Sequence, residues 1–499
     1  MSTLIKGGTV VTAEGAHLAD VLVEGETIAA VAAPGTLSSG TRFSGTSADE
    51  IIDATDRYLI PGGIDGHTHM EMPFGGTFSA DTFETGTRAA AHGGTTTIVD
   101  FPVQVKGTSL TETLDKWHAK ADGNCAIDYG FHMIVSDVND ATLKEMDALI
   151  GSGVTSFKMF MAYPGVFYAT DGEILRAMQQ AHKSGALIMM HAENGIAIDQ
   201  LVAQAIAAGR TEPVHHGLTR PPELEGEATN RAIQLAKVAG CPLYIVHLSA
   251  AHALERVAEA KDGGQNVFAE TCPQYLYLTL DDLARPGSGG FEGAKYVCSP
   301  PLRTPDHASA LWRGLRVNDL SVVSTDHCPF CFKEQKELGR GDFSKIPNGI
   351  PAVEHRIDLL HQGVVAGEIT LSRWVETCAT TPARMFGLYP RKGVIAPGSD
   401  ADIVIYDPVA TQVISAATHH MNVDYSAFEG MEITGQVALT MSRGRVVVNN
   451  GQFTGAAGHG AFLRRDLCQY LVLSERPVAS VPGQGRGPLG VRHMGVVLA

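Results

Sequence analysis

The fold is decided by residues 59–69, which read Leu59-Ile60-Pro61-Gly62-Gly63-Ile64-Asp65-Gly66-His67-Thr68-His69. The short apolar run that ends in glycines predicts a buried strand that stops at an opening. Alternate residues of a strand point the same way, so His67 and His69 share one face. Two neutral imidazoles on one face can bind a cation if further ligands converge on them, because histidine is the commonest nitrogen ligand of zinc-like ions.

The composition describes a soluble globular chain with a sizeable core and an excess of acidic side chains. Of its 499 residues, 44% are hydrophobic and 18% are charged, and 54 acidic against 38 basic side chains give a net charge of −16. That balance disfavours nucleic acid and anionic membranes as partners. Residues 1–11 lack the basic start and apolar core of a signal peptide, and no run of about 18 apolar residues occurs. We therefore expect a cytoplasmic protein.

The eight cysteines are scattered along the chain, which suits reduced thiols better than a disulfide framework. Cys328 and Cys331 have the CxxC spacing, but no second CxxC accompanies them. A structural zinc or a redox role at this pair is therefore the minority interpretation.

Strand and helix patterns alternate through the middle of the chain. With the opening strand there are eight apolar, strand-like runs, and the other seven are 97–100, 129–135, 156–161, 187–191, 244–248, 267–270 and 322–326. The clearest helix spans 171–185, with a capping Asp, an acidic first turn and Gly at the C-cap position. Eight such units match the roughly 250 residues of a (β/α)₈ barrel. We therefore predict an α/β protein with a TIM-barrel catalytic domain over 59–390, whose chemistry lies at the carboxyl ends of the strands.

Alternating segments broken by glycine turns occur at both ends of the chain. Neither end buries enough apolar surface to form a sheet alone, so we predict one small β-sandwich built from residues 1–58 and 391–455. The segment 456–499 contains Arg464 and Arg465, then a run rich in proline and glycine. It is too poor in apolar residues to form its own core, so we expect either a tail that crosses onto a neighbouring subunit or plain disorder.

Candidate metal ligands lie within the predicted strands or at their ends. They are His67, His69, Lys158, His191, His247 and Asp326. A single histidine at the end of a strand is more often a hydrogen-bonded core residue than a ligand. Four histidines, a lysine and an aspartate at one rim of a barrel are hard to explain by core packing alone.

The order His-x-His, Lys, His, His, Asp resembles the amidohydrolase superfamily, and specifically its cyclic amidohydrolases. Further motifs are similar to those of dihydropyrimidinases and D-hydantoinases: HTHMEMPFGG at 67–76, KMFMAY at 158–163, CSPPLR at 298–303 and NGIP at 348–351. The resemblance covers about residues 1–455. It implies metal-dependent hydrolysis of the cyclic amide bond of dihydropyrimidines or hydantoins to N-carbamoyl amino acids, by a homotetramer whose substrate is a small cyclic imide or ureide.

By the same resemblance, each subunit binds two divalent ions, with zinc favoured and manganese or cobalt also able to accept the ligands. One ion would be held by His67, His69, Lys158 and Asp326, and the other by Lys158, His191 and His247. An ammonium group beside two dications would be repelled, so the family implies a CO₂-derived carbamate on Lys158 (N6-carboxylysine) that bridges both ions. Burial and nearby positive charge would lower the pKa of Lys158 and supply the neutral amine for that reaction.

The resemblance also implies the catalytic and substrate-binding groups. Asp326 would take the proton of the nucleophilic water and return it to the departing ring nitrogen. The hydroxyl of Tyr163 would polarise the ring carbonyl. Ser299 and Asn348 would grip the cyclic imide through backbone groups.

The substituent outside the ring would meet aromatic residues. Phe74, Phe160 and Phe167 either line that pocket or pack in the core. Dihydroorotases, by family resemblance, place an arginine two residues after the second histidine of His-x-His; here Glu71 would face the substrate, so we expect neutral rings to be preferred. Allantoinases and dihydroorotase-like enzymes stay as alternatives, and a non-catalytic dihydropyrimidinase-like scaffold is disfavoured because every ligand position is filled.

Overall fold

Strands and helices alternate along a computed structural model of the chain, which describes residues 2–37, 48–287 and 290–471. The strands are β1 Ser2–Val11, β2 Ala16–Glu24, β3 Thr27–Ala32, β4 Glu50–Asp53, β5 Tyr58–Pro61, β6 Gly63–Thr68, β7 Pro73–Phe74, β8 Thr77–Phe78, β9 Thr95–Asp100, β10 Asp128–Phe131, β11 Met133–Ile134, β12 Ser156–Phe160, β13 Leu187–His191, β14 Leu243–Ile245, β15 Val267–Thr271, β16 Val322–Val323, β17 Ile403–Val413, β18 Glu432–Ser442, β19 Arg445–Asn449 and β20 Gln452–Phe453.

The α-helices are α1 Phe83–His92, α2 Leu110–Ala121, α3 Asp140–Gly151, α4 Asp171–Ser184, α5 Gly195–Ala207, α6 Val214–Leu218, α7 Pro222–Ala239, α8 Ala251–Asp262, α9 Pro273–Tyr277, α10 Leu280–Leu283, α11 Pro305–Val317, α12 Arg356–Val365, α13 Leu371–Val375 and α14 Thr381–Met385. Short 3₁₀ helices cover Glu292–Tyr296, Lys336–Gly339 and Phe343–Lys345. A π-helical turn covers Glu376–Thr380.

The parallel strands of the middle region form the predicted barrel. One part has the order β10-β9-β6, and the other runs from β11 to β16 in chain order. Strands β10 and β11 flank His132 and together take the place of one predicted strand. A parallel bridge between Thr68 and His327 joins the end of β6 to the segment after β16, which closes the ring. The TIM-barrel fold class is therefore confirmed.

The opening run of residues 59–69 is divided between two sheets. Its first part, β5, pairs antiparallel with β17, whereas β6 pairs with the barrel strand β9. Gly62 lies at the division, where an added Cβ would be 2.1 Å from Thr96 Oγ1. The prediction of one continuous strand is therefore wrong. The chain passes from one sheet to the other at Gly62, where the close approach of Thr96 leaves no room for a side chain.

Helix α4 matches the predicted helix 171–185 in position but not in its cap. Thr170 is the N-cap, and its Oγ1 accepts a hydrogen bond from Glu173 N at 3.3 Å. The Glu173 carboxylate accepts one from Thr170 N at 2.7 Å, which completes a capping box. Asp171, predicted to be the cap, is the first helical residue. Gly185 ends the helix with a φ of 76°, a left-handed conformation that glycine adopts without a steric penalty.

Strands from both ends of the chain hydrogen-bond into one nine-stranded sheet, in the order β20-β19-β18-β17-β5-β1-β2-β3, with β4 paired to β1. This sheet has an apolar core of its own, which includes Ile5, Val21 and Ile403. The predicted β-sandwich is thus one continuous sheet that combines both ends. The expected limit at residue 58 would divide β5, which belongs to this sheet, so we propose a domain formed by 1–61 and 391–455 beside a barrel domain at 62–390.

Residues 456–471 lie against the barrel of their own chain. Leu463 N donates to Tyr129 O at 2.7 Å, and Arg465 N donates to Gly153 O at 3.1 Å. The buried Arg465 side chain also donates to Ser156 Oγ at 2.9 Å. The sequence predicts a tail over 456–499 that either crosses onto a neighbouring subunit or is disordered; residues 456–471 instead pack on their own barrel, and residues 472–499 lie outside the described part of the chain.

All eight cysteines are free thiols, and seven of them are buried. Cys331, the second member of the CxxC pair, directs its Sγ to the backbone carbonyl of Asn422 at 3.7 Å. Within the described ranges, no helix combines the length and the hydropathy that crossing a membrane requires.

A buried ion-pair network joins the barrel to the terminal sheet. Lys392 Nζ lies 2.7 Å from Asp128 Oδ2 at the start of β10, 2.7 Å from Asp402 Oδ2 before β17, and 2.9 Å from Asp400 Oδ2. Burial alone would lower the pKa of Lys392, but the three carboxylates together raise it above its usual value. Arg443 adds a contact of 3.0 Å to Asp128 Oδ1.

We predict that Lys392→Met destabilises the protein strongly. Removing one partner of a buried ion pair leaves uncompensated charge, so the free energy of unfolding should fall by about 3–5 kcal/mol. Chemical denaturation of both proteins measures this difference. Lys183→Met, at an exposed lysine near the end of α4, is the control and should change stability by less than about 0.5 kcal/mol. A similarly small change for Lys392→Met would show that the network adds nothing to stability.

Candidate active site

The predicted ligands of one metal ion meet at the carboxyl ends of the barrel strands. His67 Nε2 and His69 Nε2 lie 3.1 Å and 3.2 Å from Asp326 Oδ1. These three residues form a buried group whose geometry could hold a metal ion. Lys158, from β12, places its Nζ 2.8 Å from His67 Nε2. The four side chains predicted to bind one metal ion therefore lie in contact with one another.

The two remaining histidines lie beside this group. His191 Nδ1, at the end of β13, is 2.9 Å from His247 Nε2. The rings of His67 and His247 stack with their centroids 5.4 Å apart. All six predicted ligands therefore share one buried site.

Burial favours the neutral forms of His67, His69 and His247, which are the forms that bind metals. It lowers the pKa of His67 and of His69 well below the usual range, and the charge of Lys158 lowers both further. The pKa of His247 falls for the same first reason, with His191 adding to the effect. Burial also lowers the pKa of Lys158 to about 8. An amine with such a pKa is partly neutral near physiological pH, which reaction with CO₂ requires.

Two carboxylates behind the rings direct nitrogen lone pairs into the site. Glu270 is hydrogen-bonded to His67 Nδ1, and it also accepts from Tyr244 Oη at 2.8 Å. Glu193 Oε2 lies 2.8 Å from His191 Nε2. If each carboxylate accepts the N–H of its ring, the opposite nitrogen carries the lone pair.

The orientation of the histidine rings shows whether these residues fit a metal ion. The His67 Nε2 lone pair then faces Asp326 Oδ1 at 3.1 Å. Two acceptors at that distance repel each other unless a cation lies beside them, and in this structure Lys158 Nζ, 2.8 Å from His67 Nε2, is in the position of that cation. Neutral imidazoles, a carboxylate and a lysine with a lowered pKa are ligand types that divalent transition metals accept. The residues therefore fit a metal site, and the chain has a candidate metal centre.

Glu193 and Glu270 were missed in the sequence, although each had a signal. Glu270 ends the predicted strand 267–270, the seventh of the barrel, where an acid would point to the same rim as the ligands. Glu193 follows His191 by two residues. Both are almost completely buried, and a buried acid in contact with a histidine ring is the usual means of fixing its orientation at a metal site.

Tyr163, Ser299 and Asn348 line the cavity above the ligands. Asn348 Nδ2 donates to Ser299 Oγ at 3.1 Å. Burial, reinforced by the charge of Glu193, raises the pKa of Tyr163 to about 12. Its hydroxyl therefore keeps its proton and can act as a hydrogen-bond donor.

Three residues of the site have left-handed backbone conformations. The φ angles of Tyr163, His247 and Asp326 are 60°, 40° and 52°. Such angles strain residues other than glycine by about 1–3 kcal/mol each, and they persist only where surrounding contacts impose them. Their clustering at the barrel rim is typical of a functional site.

Aromatic rings form one wall of the cavity. Phe160 and Phe167 stack with centroids 5.0 Å apart, and Phe74 lies parallel to Phe167 at 6.4 Å. All three line the inner cavity, and Phe74 and Phe167 also border an outer cavity of about 990 Å³. Space for a substituent therefore continues outward from the site.

The expectation that Glu71 faces the substrate is wrong. Its Oε1 accepts a hydrogen bond from Phe83 N at 3.2 Å, so the acid lies at the start of α1. It is absent from the described residues that line either cavity. Arg303 pairs with Glu225 at 2.8 Å and lines neither cavity. Arg220 borders the outer cavity.

Comparison with known proteins agrees with this geometry. The model of the amidohydrolase family matches residues 58–447. A D-hydantoinase of Streptomyces coelicolor is 66% identical over 469 residues, covering 94% of this chain and 99% of the relative. A D-hydantoinase of Geobacillus stearothermophilus is 51% identical over 467 residues, covering 93% and 97%. The crystal structure of dihydropyrimidinase from Brevibacillus agri has a TM-score of 0.90 and 50% identity, covering 94% of this chain and 99% of that one. The chain belongs to the amidohydrolase family, in its D-hydantoinase and dihydropyrimidinase group of cyclic amidohydrolases.

Proposed function

We propose that this enzyme hydrolyses the cyclic amide bond of hydantoins and dihydropyrimidines and releases N-carbamoyl amino acids. The observation that carries the proposal is the convergence of six ligand side chains in one buried site below Tyr163, Ser299 and Asn348. The names of the D-hydantoinases and the dihydropyrimidinase that this chain resembles support the same substrate class.

Two divalent ions would be held in this site, with zinc favoured and manganese or cobalt accepted. One would be bound by His67, His69, Lys158 and Asp326, and the other by Lys158, His191 and His247, with Lys158 carrying a carbamate. When bound, such ions polarise the substrate carbonyl and lower the pKa of water towards neutrality. The neutral histidines and the lowered pKa of Lys158 support this assignment.

The side chains of this chain would then guide the addition of water across the ring C–N bond. The oxygen of water bonds to the carbonyl carbon, and Asp326 accepts a water proton and returns it to the ring nitrogen as the C–N bond breaks. Tyr163 donates its hydroxyl hydrogen to the carbonyl oxygen, where negative charge develops. Ser299 and Asn348 orient the ring through their backbone groups.

A substrate panel on metal-loaded enzyme tests the proposal. Ring opening should be measured for hydantoin, a 5-substituted hydantoin, dihydrouracil, dihydroorotate and allantoin, with elemental analysis of protein purified without chelator. Opening of the first three rings with two metal ions per chain is expected, and activity without bound metal would contradict the assignment. A homotetramer and a cytoplasmic location stay predictions, and light scattering of the purified protein measures the assembly.

We predict that Lys158→Ala loses about a thousand-fold or more in kcat/KM for hydantoin, because several kcal/mol of transition-state stabilisation depend on the paired ions. Short carboxylic acids added with metal should partly restore activity by replacing the carbamate. Lys183→Ala, at an exposed lysine, is the control. Full activity of Lys158→Ala would exclude the carbamate.

Asp326→Asn is predicted to keep the fold and to lower kcat by about 10²- to 10⁴-fold, since an amide cannot relay the proton. Kinetics should be combined with a measurement of bound metal, so that loss of a ligand and loss of proton transfer are separated. A decrease of only a few-fold with metal retained would assign the proton transfer to another group.

Neutral rings should be strongly preferred over anionic dihydroorotate. Among the described residues that line the inner cavity, Lys158 is the only cationic side chain, and we assign it to the metals. In a desolvated site, the absence of a charge-assisted pair with the substrate carboxylate costs about 2–5 kcal/mol of transition-state stabilisation. This cost lowers kcat/KM by roughly 30- to several-thousand-fold. Kinetics on dihydrouracil and dihydroorotate under one set of conditions measure the ratio. Comparable kcat/KM values for the two substrates would indicate that another cation binds the carboxylate of dihydroorotate. Arg220, which borders the outer cavity, is the candidate.

A further inference from the structure

Lys336 is a buried lysine that the proposed mechanism does not use. Its side chain is fully buried, and its Nζ donates to the backbone carbonyls of Val297 at 2.9 Å, Pro347 at 2.7 Å and Gly349 at 2.8 Å. Three acceptors match the three donors of one ammonium group. No acidic side chain in the described ranges forms an ion pair with it, and the nearby ionisable groups are the buried thiols of Cys298 and Cys328.

The three carbonyls belong to two segments of the cavity wall. The first segment, 297–299, ends at Ser299. The second segment, 347–349, has Asn348 at its centre. Gly349 N donates to Val297 O at 2.9 Å, so the two segments also contact each other directly. Lys336 uses the carbonyls on both sides of Asn348, and the backbone of Asn348 itself is left free of this contact.

Core packing does not explain a charge at this position. Burial lowers the pKa of Lys336 to about 7, so the protonated form is disfavoured by its surroundings. A buried ammonium group is tolerated only when its hydrogen bonds are made, and an apolar chain of similar length would fill the same space without that penalty. The three carbonyl contacts are therefore what distinguishes lysine from methionine here.

We propose that Lys336 is a positioning residue, which fixes the spacing between the two backbone segments that grip the cyclic amide. This inference rests on the proposed function, because it takes Ser299 and Asn348 as the groups that hold the ring. Backbone contacts to the ring are made in the bound substrate and in the transition state alike. Loosening the two segments should therefore raise KM more than it lowers kcat.

Lys336→Met tests this role, since it keeps the length of the side chain and removes all three donors. We expect KM for hydantoin to rise about ten- to a hundred-fold while kcat stays within about three-fold, because the weakened contacts bind the substrate and the transition state equally. Lys336→Gln retains two N–H donors on a shorter chain and should raise KM by less. Lys183→Met, an exposed lysine remote from the cavity, should leave both constants unchanged.

Hydrogen–deuterium exchange supplies a readout that does not depend on turnover. Lys336→Met should speed exchange in peptides that cover 297–299 and 347–349, and should leave peptides from β18 unchanged. If the wild type opens none of the rings, the proposed function fails, and exchange still reports on the two segments. The positioning role would be overturned if the Met variant had the same KM and the same exchange rates as the wild type and differed only in a lower Tm. Should the Met variant not fold, the Gln variant is judged by the same two measurements.

Discussion

The site depends on the hydrogen bonds that buried carboxylates make to the backs of the histidine rings. Glu270 holds His67, and Glu193 holds His191. Without these partners each imidazole could rotate or change tautomer, and the lone pairs would no longer converge. Glu270 in turn accepts from Tyr244 and from the backbone of His247, so its position is set by neighbouring barrel strands. Ligand geometry is thus transmitted outward through a second layer of side chains to the barrel itself.

The barrel separates the chemistry from the contacts that join it to the terminal sheet. Parallel strands bring the ligands to one rim, and the opposite rim carries Asp128, whose carboxylate meets Lys392 and Arg443 from the terminal sheet. Residues at the carboxyl ends of the strands can therefore adopt strained conformations, as Asp326 does, while the amino ends provide stabilising contacts. Lys336 adds a link within the active rim, between segments that come from different loops.

The sequence was sufficient for the barrel and for the convergence of the ligands, because both follow from periodicity and from the position of polar residues at strand ends. Three features were decided by contacts distant in sequence. The passage between sheets at Gly62 depends on Thr96, and the orientation of Glu71 depends on its bond to the start of α1. No local sequence pattern predicts the hydrogen-bond acceptors of Lys336, because the backbone carbonyls that accept from it belong to residues up to 39 positions away. Local pattern identifies elements, whereas partners of buried polar groups require the tertiary structure.

The terminal sheet has a consequence for the order in which the protein is made. Strand β5 pairs with β17, so Pro61 meets Ile403 across most of the length of the chain. A growing chain exposes the edge of β5 until β17 has been synthesised. Exposed strand edges invite pairing with other chains, and contacts between distant residues form slowly. Strands β1 to β5 can pair with one another as soon as they leave the ribosome, but the free edge of β5 stays uncovered until the whole barrel has been translated, so the terminal sheet is the last part of the described chain that can be completed.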